Sequence, residues 1–218
     1  MRRQIAPVLA QEFSVVCADL RGYGRSGCPQ SAEDHEPYSK RAMAGDMVAV
    51  MRRLGFERFC VAGHDRGGRV AYRLALDHPS RVERVAVLDV IPGEEAWQRA
   101  DARFAVGFWP WSLLAQPEPL PERLIAAATD AIVDHALKEW GSSAAALESE
   151  VRDAYVESLG RRSSIHSIRE EYRAAAAIDR EHDQADHLNG HRIRCPLLVL
   201  WSERGPLAQW YQNDGGPI

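Results

Sequence analysis

One aspartate between two glycines has the clearest capacity for chemistry in this sequence. Gly63-His64-Asp65-Arg66-Gly67 lies between an apolar run and a segment with helical spacing. This is the context of a nucleophile elbow, in which a tight turn exposes the central side chain. An ionised carboxylate needs no base to attack an sp³ carbon, displace a leaving group and form an alkyl ester. Asp65 is therefore predicted to be a nucleophile; the alternative is that it caps the following helix.

Two arginines beside Asp65 predict an anion-binding site. Arg66 follows the aspartate directly, and Arg69 lies one helical turn further along. A guanidinium can bind a substrate carboxylate through two parallel hydrogen bonds. The alternative for both residues is a solvated arginine face, and this is the preferred interpretation for Arg73 on the next turn. The combination predicts attack on a small carboxylate substrate.

Apolar runs alternate with helical segments over most of the sequence. Strands are predicted at 14–20, 58–63, 82–88 and 196–201, helices at 39–54 and 67–78, and a glycine loop at 21–27. This alternation is typical of an α/β fold with a mostly parallel sheet and helices on both faces. The predicted organisation is a partial core at 1–91, a helical cap at 92–194, and a last core strand with an irregular tail at 195–218.

Composition excludes several classes of function. Of the 218 residues 45% are apolar, and the net charge is −4, so binding to nucleic acid or to an anionic membrane has no electrostatic basis. We find no apolar run long enough to span a bilayer. The four cysteines are scattered singly without metal-ligand spacing. They predict reduced, buried thiols in a cytoplasmic protein without a metal site.

Several segments resemble one family of enzymes. They begin at Asp19 (Asp-Leu-Arg-Gly-Tyr-Gly-Arg-Ser), Pro37 (Pro-Tyr-Ser-Lys-Arg-Ala-Met), Gly63 (Gly-His-Asp-Arg-Gly-Gly-Arg), Val87 (Val-Leu-Asp-Val-Ile-Pro) and Trp111 (Trp-Ser-Leu-Leu-Ala-Gln-Pro). These resemble the haloacetate (fluoroacetate) dehalogenases of the α/β-hydrolase fold, and the similarity extends from about Ile5 to Trp210. The resemblance implies hydrolysis of a haloacetate to glycolate and halide, without a metal or organic cofactor, in a protein that often forms homodimers.

The resemblance also implies a role for each site residue. Asp65 attacks the carbon that bears the halogen, while Arg66 and Arg69 hold the carboxylate. Asp89 orients a catalytic histidine; as an alternative, it is a turn residue. The departing halide accepts hydrogen bonds from Trp111, Trp140 and Tyr172. As an alternative, each of the three is an aromatic core residue.

Three departures from the family pattern change the expected activity. Pro110 stands where the family has a halide-binding histidine, which favours chloroacetate over fluoroacetate as substrate. No histidine follows His191, although the family has its general base in that region, so turnover is expected to be impaired. The family also has strands and an oxyanion loop before the position of Met1. The sequence is therefore interpreted as truncated at both ends.

Two other functions fit parts of the pattern. An epoxide hydrolase uses the same kind of aspartate but protonates its substrate with paired tyrosines, and it has no need of two arginines. A non-catalytic fragment would bind small carboxylates without turning them over. Halide release separates dehalogenase from epoxide hydrolase, and turnover separates either enzyme from a binding protein.

Overall fold

The structure is a computed structural model that describes residues 2–139, 149–203 and 205–211. Its strands are β1 (Phe59–His64), β2 (Val82–Leu88) and β3 (Leu197–Leu200). Its helices are α1 (Arg2–Leu9), α2 (Lys40–Arg53), α3 (Arg66–Asp77), α4 (Gly93–Gln98), α5 (Ala102–Gly107), α6 (Trp109–Leu114), α7 (Leu120–Ala127), α8 (Thr129–Glu139), α9 (Ser149–Gly160), α10 (Arg162–Ala176), α11 (Ile178–Leu188) and α12 (Pro206–Trp210). A short 3₁₀ turn at Glu36–Tyr38 precedes α2. The predicted α/β architecture is confirmed.

The sheet is parallel and has the order β1-β2-β3 within the described residues. His64 pairs with Leu88, which in turn pairs with Leu200. The three strands therefore end in register. The residues that follow β1 and β2, Asp65 and Asp89, leave the sheet at the same edge, which is where an open α/β sheet binds its ligands.

Helix α3 joins the sheet to the rest of the core. It packs on β1, β2 and α2, and it buries Val70 and Leu74 against Met43 of α2 and Val85 of β2. Helix α2 begins where the Ser39 hydroxyl accepts a hydrogen bond from the Ala42 amide at 3.0 Å. The predicted helices at 39–54 and 67–78 are both confirmed within a residue or two.

The two elbow glycines, Gly63 and Gly67, differ in how much space surrounds them. A Cβ on Gly63 would lie 2.0 Å from the Gly67 carbonyl oxygen, whereas a Cβ on Gly67 would meet nothing within 4 Å. We expect Gly63→Ala to lower the free energy of unfolding by about 2 kcal/mol or more, because backbone must move. Gly67→Ala should be neutral or stabilise by up to about 1 kcal/mol, since Gly67 lies in a helix. Urea unfolding of both variants measures this, and equal stabilities would contradict the tight turn.

The described residues between β2 and β3 form helices α4 to α11. Aromatic side chains build a separate core there, with the Phe104 ring 5.3 Å from that of Trp111 and 4.8 Å from that of Trp210. The irregular tail predicted after Pro206 is wrong in part, because Pro206–Trp210 is helical. The Trp210 indole is buried and donates a hydrogen bond to Asp101 Oδ1 at 3.0 Å. The function of the helical segment as a cap stays a prediction.

The strand predicted at 14–20 is wrong. These residues form no strand, and Val15 and Val16 are exposed. In the described part of the chain β1 is the edge of the sheet, and residues 14–20 do not pair with it, so their backbone groups make no ladder hydrogen bonds. Predicted burial also fails for three of the cysteines, Cys17, Cys28 and Cys60, which are exposed thiols. Among the described helices, none has the length and apolar character needed to span a membrane.

Candidate active site

The elbow holds Asp65 in a conformation that few residues other than glycine adopt. Its φ is 52° and its ψ is −119°. The backbone is fixed on both sides, since the Asp65 amide donates to Leu88 and its carbonyl accepts from the amides of Gly68 and Arg69. The carboxylate makes no capping hydrogen bond to α3, and 66% of the side chain is exposed. Helix capping therefore does not explain this residue, and its carboxylate is free to meet a ligand.

Arg69 reaches back toward this carboxylate. Its Nη1 lies 3.6 Å from Asp65 Oδ1, and its Cζ lies 4.5 Å from the centroid of the Trp111 ring. Although the Arg69 side chain is only 10% exposed, its Nε has no hydrogen-bond partner among the described residues. A buried donor without a partner is costly, so an anionic ligand that accepts from Arg69 would be favoured here.

Arg66 is bound in a buried ion-pair network. Its Nη1 lies 2.9 Å from Glu171 Oε1, and its Cζ lies 3.8 Å from the Tyr172 ring centroid. Glu171 is fully buried, lies 2.9 Å from Lys40 Nζ and accepts a hydrogen bond from the Tyr23 hydroxyl. Burial opposes ionisation of this carboxyl, but the two cations lower the pKa of Glu171 to about 2. Glu171 thus partly neutralises Arg66, which leaves Arg69 as the less compensated guanidinium.

Sequence reasoning missed Lys40, Glu171 and Tyr23. Two of them lie in segments already noted for the family resemblance, the Gly-Tyr-Gly loop and the segment from Pro37. Glu171 is adjacent to Tyr172 in the sequence. These positions signal proximity to the site, but the pattern gives no sign that the three side chains meet.

Two predicted halide donors face the arginines. The Trp111 indole and the Tyr172 hydroxyl make no hydrogen bond to any described residue, and both rings line the same cavity, so both are available to a ligand. Burial raises the pKa of Tyr172, which keeps its O–H protonated at neutral pH. The third predicted donor, Trp140, lies outside the described residues.

A small cavity separates these side chains. Its volume is about 10 Å³, and it is lined by Lys40, Arg66, Arg69, Trp111, Tyr172 and Ala175. That volume is near the minimum for one water molecule. A ligand larger than water would fit between these side chains only if one of them moved.

Asp89 follows β2 at the same sheet edge but faces another loop. Its φ is 50°, its amide donates to the Leu200 carbonyl at 2.8 Å, and its Oδ1 accepts from the Ser202 amide at 3.3 Å. Within the described ranges, neither the Asp65 nor the Asp89 carboxylate makes a hydrogen bond or ion pair with a histidine side chain. The predicted role of Asp89 in orienting a histidine stays a prediction.

One other cluster has the side chains of a metal site. Single ligand atoms of Glu118, His166 and Glu170 lie within 4.8 Å of one another. However, Arg173 Nη1 lies 2.8 Å from Glu170 and 3.6 Å from Glu118. Because this guanidinium already neutralises both carboxylates, we expect no bound cation there.

Known proteins resemble this chain over almost its whole length. The family model of the alpha/beta hydrolase fold matches residues 1–215. A fluoroacetate dehalogenase from Burkholderia sp is 44% identical over 213 residues, which are 97% of this chain and 69% of the relative. A solved structure from Nostoc sp PCC 7120, described provisionally as an α/β hydrolase, has a TM-score of 0.92 at 46% identity and covers 96% of this chain and 71% of its own. One from Pseudomonas aeruginosa, described provisionally as an epoxide hydrolase, has a TM-score of 0.83 at 45% identity, over 91% and 66% respectively.

These matches extend across the elbow, the arginines and the helices that carry Trp111 and Tyr172. They agree with the fold. The chain is a hydrolase that belongs to the haloacetate (fluoroacetate) dehalogenase family of the α/β-hydrolase fold.

Proposed function

We propose that this chain removes halide from a haloacetate, with Asp65 as the nucleophile. A carboxylate oxygen of Asp65 bonds to the halogen-bearing carbon, and the halide leaves with the electron pair of the carbon–halogen bond. Water then cleaves the ester at its carbonyl, which releases glycolate and a proton and restores the carboxylate. The observation that carries this proposal is the uncapped Asp65 carboxylate 3.6 Å from the buried guanidinium of Arg69.

The side chains around the small cavity match the two ends of such a substrate. Arg69 has a free donor for the carboxylate, and Arg66 lies opposite, although it shares its charge with Glu171. The free donors of Trp111 and Tyr172 suit the departing halide. Pro110, the neighbour of Trp111, has no side-chain donor. Fluoride depends most on such donors because it is small and strongly hydrated, so we propose chloroacetate as the better substrate.

The second half of the reaction has less support from the described residues. Hydrolysis of the ester requires a base that activates water, and no histidine side chain is hydrogen-bonded to Asp65 or Asp89 in the part of the chain that the structure describes. Ester formation should therefore be faster than ester hydrolysis. We expect a burst of about one halide per chain followed by a slow phase.

The test is halide release from the purified chain. The purified chain is mixed with chloroacetate, and the concentration of free chloride is followed with time. A parallel series with fluoroacetate and a protein-free blank are measured in the same way. A chloride burst that scales with protein concentration supports dehalogenation. Thiols also release chloride when alkylated, so iodoacetamide-blocked protein serves as the control. A folded chain without a burst after this block contradicts the proposal.

The same samples test the two other functions. An epoxide hydrolase needs two tyrosines that are free to donate to the epoxide oxygen. Tyr23 and Tyr172 are the two tyrosines described above beside Arg66 and Glu171. The Tyr23 hydroxyl donates to Glu171, so of these two only Tyr172 has a free hydroxyl. Diol formation from a small epoxide without chloride release would favour that function. Saturable binding of acetate without any release would indicate a carboxylate-binding protein.

Arg69 gives a matched test of carboxylate binding. Arg69→Met removes the free guanidinium but keeps the contact with the Trp111 ring, and it should weaken binding of chloroacetate by about 10- to 100-fold. Arg58→Met is the matched control. Arg58 is an exposed arginine just before β1, and its Nε lies 3.4 Å from Glu83 Oε1. Its replacement should leave the concentration dependence of the burst unchanged. Equal concentration dependence in the two variants would remove Arg69 from the binding site.

We also infer a cytoplasmic location, from the free cysteines and the absence of a charge pattern for membranes or nucleic acid. The small halocarboxylate is the only ligand that this proposal requires, with no metal or organic cofactor. A homodimer stays a prediction from the family.

A further inference from the structure

Arg169 of α10 is a buried charge that forms no ion pair with any residue that the structure describes. It is 0% exposed, and its Nε donates to the Leu114 carbonyl at 3.1 Å. Its Nη1 and Nη2 have no hydrogen-bond partner, and no carboxylate pairs with it among the described residues. By contrast, Arg173 on the same helix is 6% exposed and binds the carboxylates of Glu122 and Glu170.

A buried charge without an ion-pair partner destabilises the fold, so its presence here calls for a functional explanation. Arginines are normally buried only with a partner, because removal of the charge from water is costly. Burial lowers the pKa of Arg169 to about 10. The guanidinium therefore remains charged at neutral pH, and its positive potential acts on its surroundings.

Those surroundings are the two proposed halide donors. The Cζ of Arg169 lies 5.4 Å from the ring centroid of Tyr172, on the same helix. Its Nε binds Leu114, the last residue of α6, and α6 carries Trp111. Burial raises the pKa of Tyr172, and the positive charges of Arg66 and, to a smaller extent, Arg169 act against this rise. A more acidic phenol is a stronger hydrogen-bond donor to an anion.

We propose that Arg169 is a positioning residue for halide departure, which keeps an uncompensated positive charge behind Tyr172 and ties α10 to α6 so that both donors face the leaving group. The inference rests on the proposed dehalogenation and extends it to a residue that does not line the cavity. The charge acts mainly through the Tyr172 hydroxyl. Its effect should be largest for the leaving group that needs most stabilisation.

The test compares leaving groups. In Arg169→Met and Arg169→Gln, the rate of Asp65 alkylation should fall about tenfold more with chloroacetate than with iodoacetate, because chloride is the poorer leaving group. Glutamine keeps a donor for Leu114 and removes only the charge. Arg169→Lys should restore most of the native chloride-to-iodide ratio. Arg173→Met, which removes a paired guanidinium from the same helix, should slow both substrates equally.

The possible outcomes separate this inference from the function. Suppose that the native chain forms the ester and that the ratio of the chloroacetate rate to the iodoacetate rate is unchanged in both neutral variants. This result overturns the role of Arg169 and leaves the dehalogenase proposal intact. If the native chain forms no ester, the role of Arg169 is tested by bromide binding, measured by tryptophan fluorescence. A loss of about tenfold in bromide affinity in Arg169→Gln supports the inference. No bromide binding by the native chain, or no folded protein from either neutral variant, overturns it.

Discussion

Asp65→Asn should lower the rate of ester formation from chloroacetate by about three orders of magnitude or more. The amide occupies nearly the same volume as the carboxylate, so the elbow should remain folded, but it is a far weaker nucleophile toward an sp³ carbon. The backbone bonds of residue 65 to Leu88, Gly68 and Arg69 do not involve the side chain. Rapid-mixing measurement of the chloride burst, after the thiols have been blocked, gives the rate directly.

Asp89→Asn is the matched control for this variant. Asp89 leaves the sheet at the same edge and also has a positive φ, but its carboxylate binds the Ser202 amide and does not contact Asp65. The chloride burst should therefore persist in Asp89→Asn within a few-fold. A burst retained in Asp65→Asn, or lost equally in both variants, would contradict the assignment of the nucleophile.

Arg73→Met should lower the free energy of unfolding by about 3–5 kcal/mol. The Arg73 side chain is 2% exposed, lies 2.7 Å from Asp183 and 3.2 Å from Asp77, and also binds Asp186. It is therefore neither a substrate ligand nor part of the solvated arginine face predicted for it. Its loss leaves buried carboxylates without their cation. Urea unfolding at neutral pH measures the effect.

The pH dependence of that loss provides a second check. Burial raises the pKa of Asp186, but the hydrogen bond from Arg73 more than offsets this and holds the pKa below its usual value. A carboxyl with a lowered pKa contributes stability above its unfolded pKa and loses it as the pH falls through the folded pKa. The difference between native chain and Arg73→Met should therefore shrink in acid. Arg58→Met, which breaks an exposed pair, should cost less than about 1 kcal/mol at any pH; a similar cost at both positions would contradict the buried network.

The elbow could be predicted from sequence because its signal is local. A strand, two glycines around a central aspartate, and an amphipathic helix all lie within residues 59–77. The pairing of strands is not local, and this is where prediction failed. The segment 14–20 has the composition of a strand, but whether it becomes one depends on a neighbour that no pattern within those residues reveals.

Helix α10 shows the same limit in the site. Its sequence, Arg-Ser-Ser-Ile-His-Ser-Ile-Arg-Glu-Glu-Tyr-Arg-Ala-Ala-Ala, has the charge density of a solvated helix, yet Arg169, Glu170, Glu171 and Arg173 are all buried. The partners of Glu171 come from distant residues, Tyr23, Lys40 and Arg66. Burial of charge is decided by such partners, so the position of Tyr172 beside the arginines could be predicted from the family pattern while the charges around it could not.

The most direct test of the central claim is to locate the bond that chloroacetate forms. The native chain is incubated with chloroacetate, digested with protease, and its carboxymethylated peptides are identified by mass spectrometry. The exposed thiols of Cys17, Cys28 and Cys60 should be alkylated as well, but their thioethers survive mild base whereas an aspartyl ester does not. We predict a base-labile adduct on Asp65 that is absent from Asp65→Asn. A folded chain alkylated on its thiols and never on Asp65 would contradict the account.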